Sequence, residues 1–140
     1  MTDSRILIDT VVLIQYLRGD GQAIDFLESL DHRPAISVIC VAELMVGVRD
    51  DHERQAVEGF LSTFDELPVD ATIARSGAAY RRAYMGSHNT GLADALIAAT
   101  VAEHGLRLAT FNARHYPMLE DVLIPYRRRK SRSRLFTTNI

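Results

Sequence analysis

Short apolar segments that suit β-strands alternate with helical segments along most of this 140-residue chain, and this alternation restricts the possible folds more than any other feature. The first strand is predicted at residues 6–8 and runs directly into Asp9. Further strands are predicted at residues 35–41, 67–69, 106–110 and 122–124. Strands separated by helices require parallel crossovers, so we expect an α/β fold with a parallel central sheet of about four to five strands flanked by helices.

The segments between these strands carry apolar residues at helical spacing. Helices are predicted from Val12, over residues 22–30, from Val41, around residues 56–64, over residues 71–85 and over residues 92–104. Gly105 is well placed to cap the last of them, because glycine adopts the left-handed conformation that ends many helices. In open parallel sheets ligands bind beyond the carboxyl ends of the strands, which directs attention to Asp9 and to the loop from Thr110 to Asn112.

The length fits one domain, but the charge divides the chain into two parts. Residues 1–126 hold ten Arg, no Lys and eighteen Asp or Glu, a net charge of −8, whereas residues 127–140 carry +6. We therefore expect a folded body over 1–126 and a basic, flexible tail over 127–140. The tail is interpreted either as an extension without function or as an arm that adds nonspecific affinity for RNA.

Composition also predicts the compartment. The longest uninterrupted apolar runs are five residues, far fewer than the roughly 20 that a membrane helix needs. The single cysteine, Cys40, lies in an apolar run, where a small buried side chain is the expected role. We expect a cytoplasmic protein without a membrane segment or a cysteine zinc cluster.

Three acidic residues stand at or near predicted helix starts. Asp9 could cap a helix, Glu43 could lie on an exposed helix face, and Asp94 could offset the dipole of a helix first turn. Helix starts that follow parallel strands lie at one edge of the sheet, so the three carboxylates are also expected to converge. Converging carboxylates repel one another unless a hard cation neutralises them, which predicts Mg²⁺ or Mn²⁺. Such an ion could activate water for hydrolysis of a phosphodiester.

Three segments, IDTVVLIQYLRG, ISVICVAELMVG and GLADALIAATVAEHGLRLATFNARHYPML, resemble in their order and spacing a PIN-domain ribonuclease of the VapC toxin type. The resemblance covers residues 5–126 and implies a single PIN-like domain. It implies that the metal-binding acids fall on Asp9, Glu43 and Asp94 and that Asn112 takes the fourth catalytic position. Thr10 and His115 would support this site, although neither Asn112 nor His115 supplies the carboxylate that many relatives have there.

The resemblance also implies substrate and partners. The function expected is that of a metal-dependent endoribonuclease, the toxin of a toxin–antitoxin pair, which cleaves structured RNA such as tRNA or rRNA loops. A homodimer and a cognate antitoxin, whose C-terminal segment covers the acidic site, are expected as partners. Arg81, Arg82 and Arg114 are candidate RNA contacts, because the guanidinium group suits phosphate, although the first two are equally typical of a solvated helix face.

Other functions fit less well. A phosphoacceptor receiver domain needs an acid beside Asp9 and a late lysine, and the only lysine is Lys130 in the tail. A haloacid-dehalogenase-like phosphatase needs an aspartate at position 11, which is Val11, and a dinucleotide-binding module needs a glycine-rich turn after the first strand. The remaining alternative is a non-catalytic PIN-like domain that binds RNA or protein.

Overall fold

A computed structural model describes residues 5–127 of the chain. It contains five strands and six helices, with one 3₁₀ turn at Ala113–His115. The strands are β1 (Ile6–Ile8), β2 (Ala35–Ser37), β3 (Asp65–Leu67), β4 (Arg107–Ala109) and β5 (Val122–Leu123). The helices are α1 (Thr10–Leu17), α2 (Gly21–Glu28), α3 (Val38–Val46), α4 (Asp51–Leu61), α5 (Ala71–His88) and α6 (Leu92–His104). The expectation for the tail concerns residues that, apart from Arg127, lie outside the described part.

The strands form one sheet in the order β3-β2-β1-β4-β5, and every neighbouring pair is parallel. The predicted α/β class and strand number are therefore confirmed. β1 is the central strand, with β2 on one side and β4 on the other, so the residue that follows β1 lies at the middle of the carboxyl edge. This is the position at which parallel sheets bind ligands.

Side chains of several aspartates and of Ser37 determine where the helices begin. Of the six helices in residues 5–127, five follow a residue whose side chain accepts a backbone N–H bond at the helix start: Asp9, Asp20, Ser37, Asp50 and Asp70. The sixth, α6, follows Gly91 without such a bond and instead carries Asp94 in its first turn. A carboxylate there offsets the positive end of the helix dipole.

The predicted strand over residues 35–41 is wrong in its second half. β2 ends at Ser37, and the Ser37 Oγ accepts the backbone N–H of Ile39 at 2.9 Å, so α3 begins at Val38. An apolar run cannot distinguish a buried strand from the first turn of a buried helix, and the serine in its middle marks the boundary. The strand predicted at 67–69 lies two residues earlier, at Asp65–Leu67, where it pairs with β2.

The core lies between the sheet and the helices, and its fully buried side chains include Leu7, Leu13, Ile36, Ile97 and Leu108. Gly105 ends α6 with a φ of 62°, as predicted. Cys40 is buried, also as expected. Across the described residues, no helix combines the length and apolar character that a bilayer-spanning segment needs.

Candidate functional site

Asp9 lies at the carboxyl end of β1 and is only 6% exposed. Its backbone N–H donates to the carbonyl of Ala109 on β4 at 2.9 Å, which extends the sheet by one bond. Its side-chain Oδ1 accepts the backbone N–H of Thr10 at 2.8 Å, at the start of α1. The capping role that the sequence suggested for Asp9 is therefore present.

The second oxygen of Asp9 faces two hydroxyl groups from the segment after β4. Thr110 Oγ1 donates to Asp9 Oδ2 at 2.6 Å, and the Tyr116 hydroxyl lies 3.2 Å from the same oxygen. Burial of the carboxyl raises the pKa of Asp9, and the nearby charge of Asp94 raises it further, whereas the hydrogen bonds from Thr110, Thr10 and Tyr116 act in the opposite direction. The net shift is upward, so ionised Asp9 is destabilised in the folded protein.

Asp94 reaches the same place from the first turn of α6. Its Oδ1 lies 3.1 Å from the Tyr116 hydroxyl, so this hydroxyl is in contact with both Asp9 and Asp94. A tyrosine hydroxyl has one hydrogen and can donate it to only one of two ionised carboxylates at a time. Asp9 and Asp94 therefore compete for the hydrogen of the Tyr116 hydroxyl. Burial and these two acids raise the pKa of Tyr116, which keeps the hydroxyl protonated.

Glu43 joins the site through Thr10. The Thr10 Oγ1 donates to Glu43 Oε1 at 2.5 Å, while the backbone N–H of Thr10 donates to Asp9. The three acids thus form a connected line through Thr10 and Tyr116. Within residues 5–127, however, no three His, Cys, Asp or Glu side chains are close enough, as they stand, to hold one metal ion. Side-chain rotation would be needed for all three acids to share an ion.

The remaining residues proposed from the sequence lie at different distances from these acids. His115 Nδ1 is 3.4 Å from Asp94 Oδ2, so the imidazole borders the site. The side chains of Asn112 and Arg114 are exposed on the same loop, and the backbone N–H of Asn112 donates to Thr110 Oγ1 at 3.0 Å. The other two candidates, Arg81 and Arg82, lie on α5.

The two arginines of α5 differ from each other. Arg82 is exposed, whereas Arg81 is half-buried and its Nη1 donates to the sulfur of Met85, one turn further along the helix. The Arg81 Nε is buried without a hydrogen-bond partner. The structure gives neither guanidinium a contact with the acids.

Tyr116 is the site residue that the sequence reasoning missed. Its segment, NARHYPML, lies in the third stretch that resembles the family, and within NARHYPML the sequence predicts only Asn112, Arg114 and His115 as site residues. The signal was weak, because Tyr116 follows the polar residues Arg114 and His115 and only the residues after it are apolar; a buried tyrosine hydroxyl needs a polar partner. Tyr116 is 1% exposed, and its partners are the two acids.

Cys40 lies beneath the site without taking part in it. Its Sγ is 3.7 Å from the carbonyl oxygen of Ile8, and complete burial raises the pKa of the thiol to about 12. The thiol therefore remains protonated at neutral pH and is a poor nucleophile. Nucleophilic cysteine chemistry is not supported here.

A groove separate from the acids runs between α1, α2 and α4, and we call it the interhelical groove. It has a volume of about 520 Å³ and is lined mainly by Tyr16, Leu17, Leu27, Phe60 and Phe64, with Glu28 at its margin. Tyr16 and Phe60 stack with their ring centroids 4.7 Å apart. Phe60 and Phe64 both line the groove, and Phe64 is itself buried.

This combination of a five-stranded parallel sheet and acids at its carboxyl edge matches a known family. The family model for the PIN domain matches residues 6–118, and the chain therefore belongs to the PIN-domain family. Among curated proteins, the chain is 44% identical over 124 residues to Ribonuclease VapC10 of Mycobacterium tuberculosis, covering 86% of this chain and 92% of that protein. Ribonuclease VapC19 of the same species is 38% identical over 125 residues, covering 86% and 98%.

Solved structures agree with this assignment. A chain of a toxin–antitoxin complex from Klebsiella pneumoniae superposes with a TM-score of 0.76 at 34% identity, covering 86% of this chain and 98% of that chain. The FitAcB structure from Neisseria gonorrhoeae gives a TM-score of 0.70 at 29% identity, covering 86% and 97%. The predicted family resemblance is confirmed.

Proposed function

We propose that this protein is a metal-dependent endoribonuclease that acts as the toxin of a toxin–antitoxin pair. The observation that carries the proposal is the buried Asp9 carboxylate held beside Asp94 at the centre of the sheet's carboxyl edge. The similarity to two named ribonucleases over 86% of the chain supports RNA as the substrate. Structured RNA with unpaired bases, such as tRNA or rRNA loops, is the class of substrate that we propose.

The chemistry of the donor set fits a hard divalent cation. Asp9 and Asp94 both contact the Tyr116 hydroxyl, and burial disfavours the charge on Asp9, so two carboxylates lie close together with His115 as the only basic side chain that the described residues place in contact with them. Oxygen ligands with uncompensated negative charge are those that Mg²⁺ and Mn²⁺ prefer. We propose that Asp9 and Asp94 bind the ion directly and that Glu43 binds it directly or through water.

The bound ion would activate a water molecule for attack on a phosphodiester and offset the charge that develops there. The residues of the chain position the ion's ligands. Thr110 and the backbone of Thr10 hold Asp9 in one orientation, and the Thr10 hydroxyl holds Glu43. His115, when protonated, attracts Asp94 and could also meet a phosphate oxygen. Asn112 and Arg114, exposed on the same loop, are proposed contacts to the RNA, as are Arg81 and Arg82 on α5.

Cleavage assays with purified protein test this function. The wild type should cut RNA only when Mg²⁺ or Mn²⁺ is present, and Asp94→Asn should abolish cleavage while leaving the circular dichroism spectrum unchanged. Asp94 lies in the first turn of α6, where asparagine retains much of the local bonding, so loss of folding is not expected. Metal-dependent cleavage by Asp94→Asn at the wild-type rate would refute the assignment and favour a domain that only binds RNA.

An antitoxin partner is the second part of the proposal. Similar solved structures are described as toxin–antitoxin complexes, and this chain exposes an apolar groove suited to an apolar helical segment. We assign the interhelical groove to the antitoxin and propose that the following antitoxin segment covers the acids, where an arginine could pair with them. We further propose that the toxin is a cytoplasmic homodimer with its nuclease domain in residues 1–126 and a basic tail beyond.

A further inference from the structure

The ring of Tyr116 is fixed by the core, and its hydroxyl lies where the two principal acids meet. The side chain is 1% exposed and belongs to the main apolar cluster, so packing determines where the hydroxyl is placed. That hydroxyl is 3.2 Å from Asp9 Oδ2 and 3.1 Å from Asp94 Oδ1. A rigid aromatic ring thus carries one polar atom to both carboxylates.

The two acids depend on this hydroxyl to different degrees. Asp9 is buried, follows the central strand and also accepts bonds from Thr110 Oγ1 and the backbone of Thr10. The side chain of Asp94 is 30% exposed, and its other polar partner among the described residues is His115 at 3.4 Å. Two carboxylates repel each other, so Asp94 would be expected to turn toward solvent without a donor on the inner side.

We propose that Tyr116 is a positioning residue that holds Asp94 beside Asp9, so that the two carboxylates are already paired when a divalent cation arrives. Each carboxylate offers about four lone-pair sites, and the Tyr116 hydroxyl donates to one of the two acids at a time. Asp9 also accepts from Thr10 at Oδ1 and from Thr110 at Oδ2, which leaves one site on Oδ1. Asp94 has more sites left, and the remaining sites of both acids are available to the ion. This inference rests on the metal dependence in the proposed function. It assigns a role to Tyr116, which has none in that proposal.

Metal binding by the full-length protein tests the inference directly. Mn²⁺ affinity is measured by calorimetry for the wild type, Tyr116→Phe and Tyr126→Phe. The Tyr126 hydroxyl donates to Asp20 Oδ2 at 3.1 Å, so Tyr126→Phe removes a similar bond to a carboxylate outside the site. We expect Tyr116→Phe to bind Mn²⁺ about 10- to 100-fold more weakly, as is typical when a partner of a metal ligand is lost. Tyr126→Phe should bind Mn²⁺ as the wild type does.

RNA cleavage provides a second readout that separates positioning from general damage. The Mn²⁺ concentration for half-maximal cleavage should rise in Tyr116→Phe by the same factor as the dissociation constant, and the rate at saturating Mn²⁺ should return close to that of the wild type. A residue needed only for folding would lower the rate at every metal concentration. Equal Mn²⁺ affinity in Tyr116→Phe and the wild type, or an equal loss in Tyr126→Phe, would overturn the inference while leaving the proposed function intact.

A measurement on the wild type covers the case in which Tyr116→Phe does not fold. The five tyrosines can be labelled with ¹³C at Cζ and their resonances followed during titration with Mg²⁺. The Tyr116 resonance should shift in step with metal binding, because its hydroxyl contacts two ligands, whereas the Tyr126 resonance should not. A Tyr116 resonance that is unchanged at saturating Mg²⁺ would overturn the inference. Absence of any metal binding by the wild type would overturn the proposed function as well.

Discussion

The contact between α5 and α6 at Gly77 leaves no room for a side chain. Gly77→Ala therefore tests how closely α5 packs against α6, the helix that carries Asp94. A Cβ at Gly77 would lie 2.6 Å from Leu96 Cδ2 and 3.2 Å from the Leu96 Cα. The leucine side chain can rotate, but the backbone contact requires α6 to shift by a few tenths of an ångström. Leu96 is two residues beyond Asp94 on the same helix, so the shift would reach the site.

The expected size of this effect follows from two opposing contributions. Overpacking of a buried contact costs about 1–3 kcal/mol. Replacing a helical glycine with alanine stabilises the helix by about 0.5–1 kcal/mol. The net change for Gly77→Ala is therefore a destabilisation of up to roughly 2.5 kcal/mol, and for a chain of this length each kcal/mol corresponds to roughly 3 °C in Tm. We expect Tm to fall by up to about 7.5 °C.

Gly86→Ala is the matched control, because Gly86 lies on the same helix and a Cβ there would meet no atom within 4 Å. It should gain the propensity contribution alone and raise Tm by about 2–3 °C. Thermal unfolding followed by circular dichroism at 222 nm measures both variants. The difference between them isolates the steric cost, and RNA cleavage should fall in Gly77→Ala alone. If Gly77→Ala melts at or above the temperature of Gly86→Ala, the close approach of α5 and α6 is refuted.

Two further predictions concern the site and the groove. Burial raises the pKa of Asp9 above its ordinary value of 3.8. Between pH 3.8 and the native pKa, the metal-free native state therefore binds a proton that the unfolded chain releases. The free energy of unfolding falls as the pH rises through this range. In urea denaturation, Asp9→Asn should therefore have a higher free energy of unfolding than the metal-free wild type at pH 7, and the difference should disappear toward pH 4. A difference in the free energy of unfolding that does not change with pH would contradict this. In the interhelical groove, Ala56 is exposed on α4, and Ala56→Glu should weaken antitoxin binding at least about tenfold by burying a charge, while RNA cleavage by the free protein is unchanged. Unaltered antitoxin affinity would place the partner elsewhere.

The sequence was sufficient to predict the parallel sheet and the presence of acids at its carboxyl edge, because both follow from local patterns. Apolar residues 6–8 followed by Asp9 identified the first strand and its end, and glycine at 105 identified a helix end. The boundary inside residues 35–41 was missed, because an apolar run has no period that separates a strand from a buried helix. There the decisive information lay in the side chain of Ser37.

The acids of the site were named from the sequence, but the way they are connected was not. Their link runs through Tyr116, which is 107 residues from Asp9 and 22 from Asp94 along the chain. No local pattern reports a contact over such separations, since it arises only when the loop after β4 folds back over the strand ends. The same applies to Thr110, whose hydroxyl meets Asp9 across 101 residues.

The backbone of Asp9 is held by the sheet, whereas the side chain of Asp94 is held by a loop outside the sheet. The amide of Asp9 is bonded to Ala109 in the centre of the sheet, so freeing it requires disruption of the central strands, an event close to global unfolding. The segment that carries His115 and Tyr116 is a single 3₁₀ turn and loop, held by the buried ring of Tyr116, by the contacts of its hydroxyl with Asp9 and Asp94, and by the hydroxyl of Thr90, which donates to the carbonyl of His115. Opening of this loop would withdraw Tyr116 from the core but would break no bond between the strands, so it would release Asp94 with a local rather than a global loss of structure. A molecule that displaced this loop would therefore change the arrangement of the two acids without unfolding the protein.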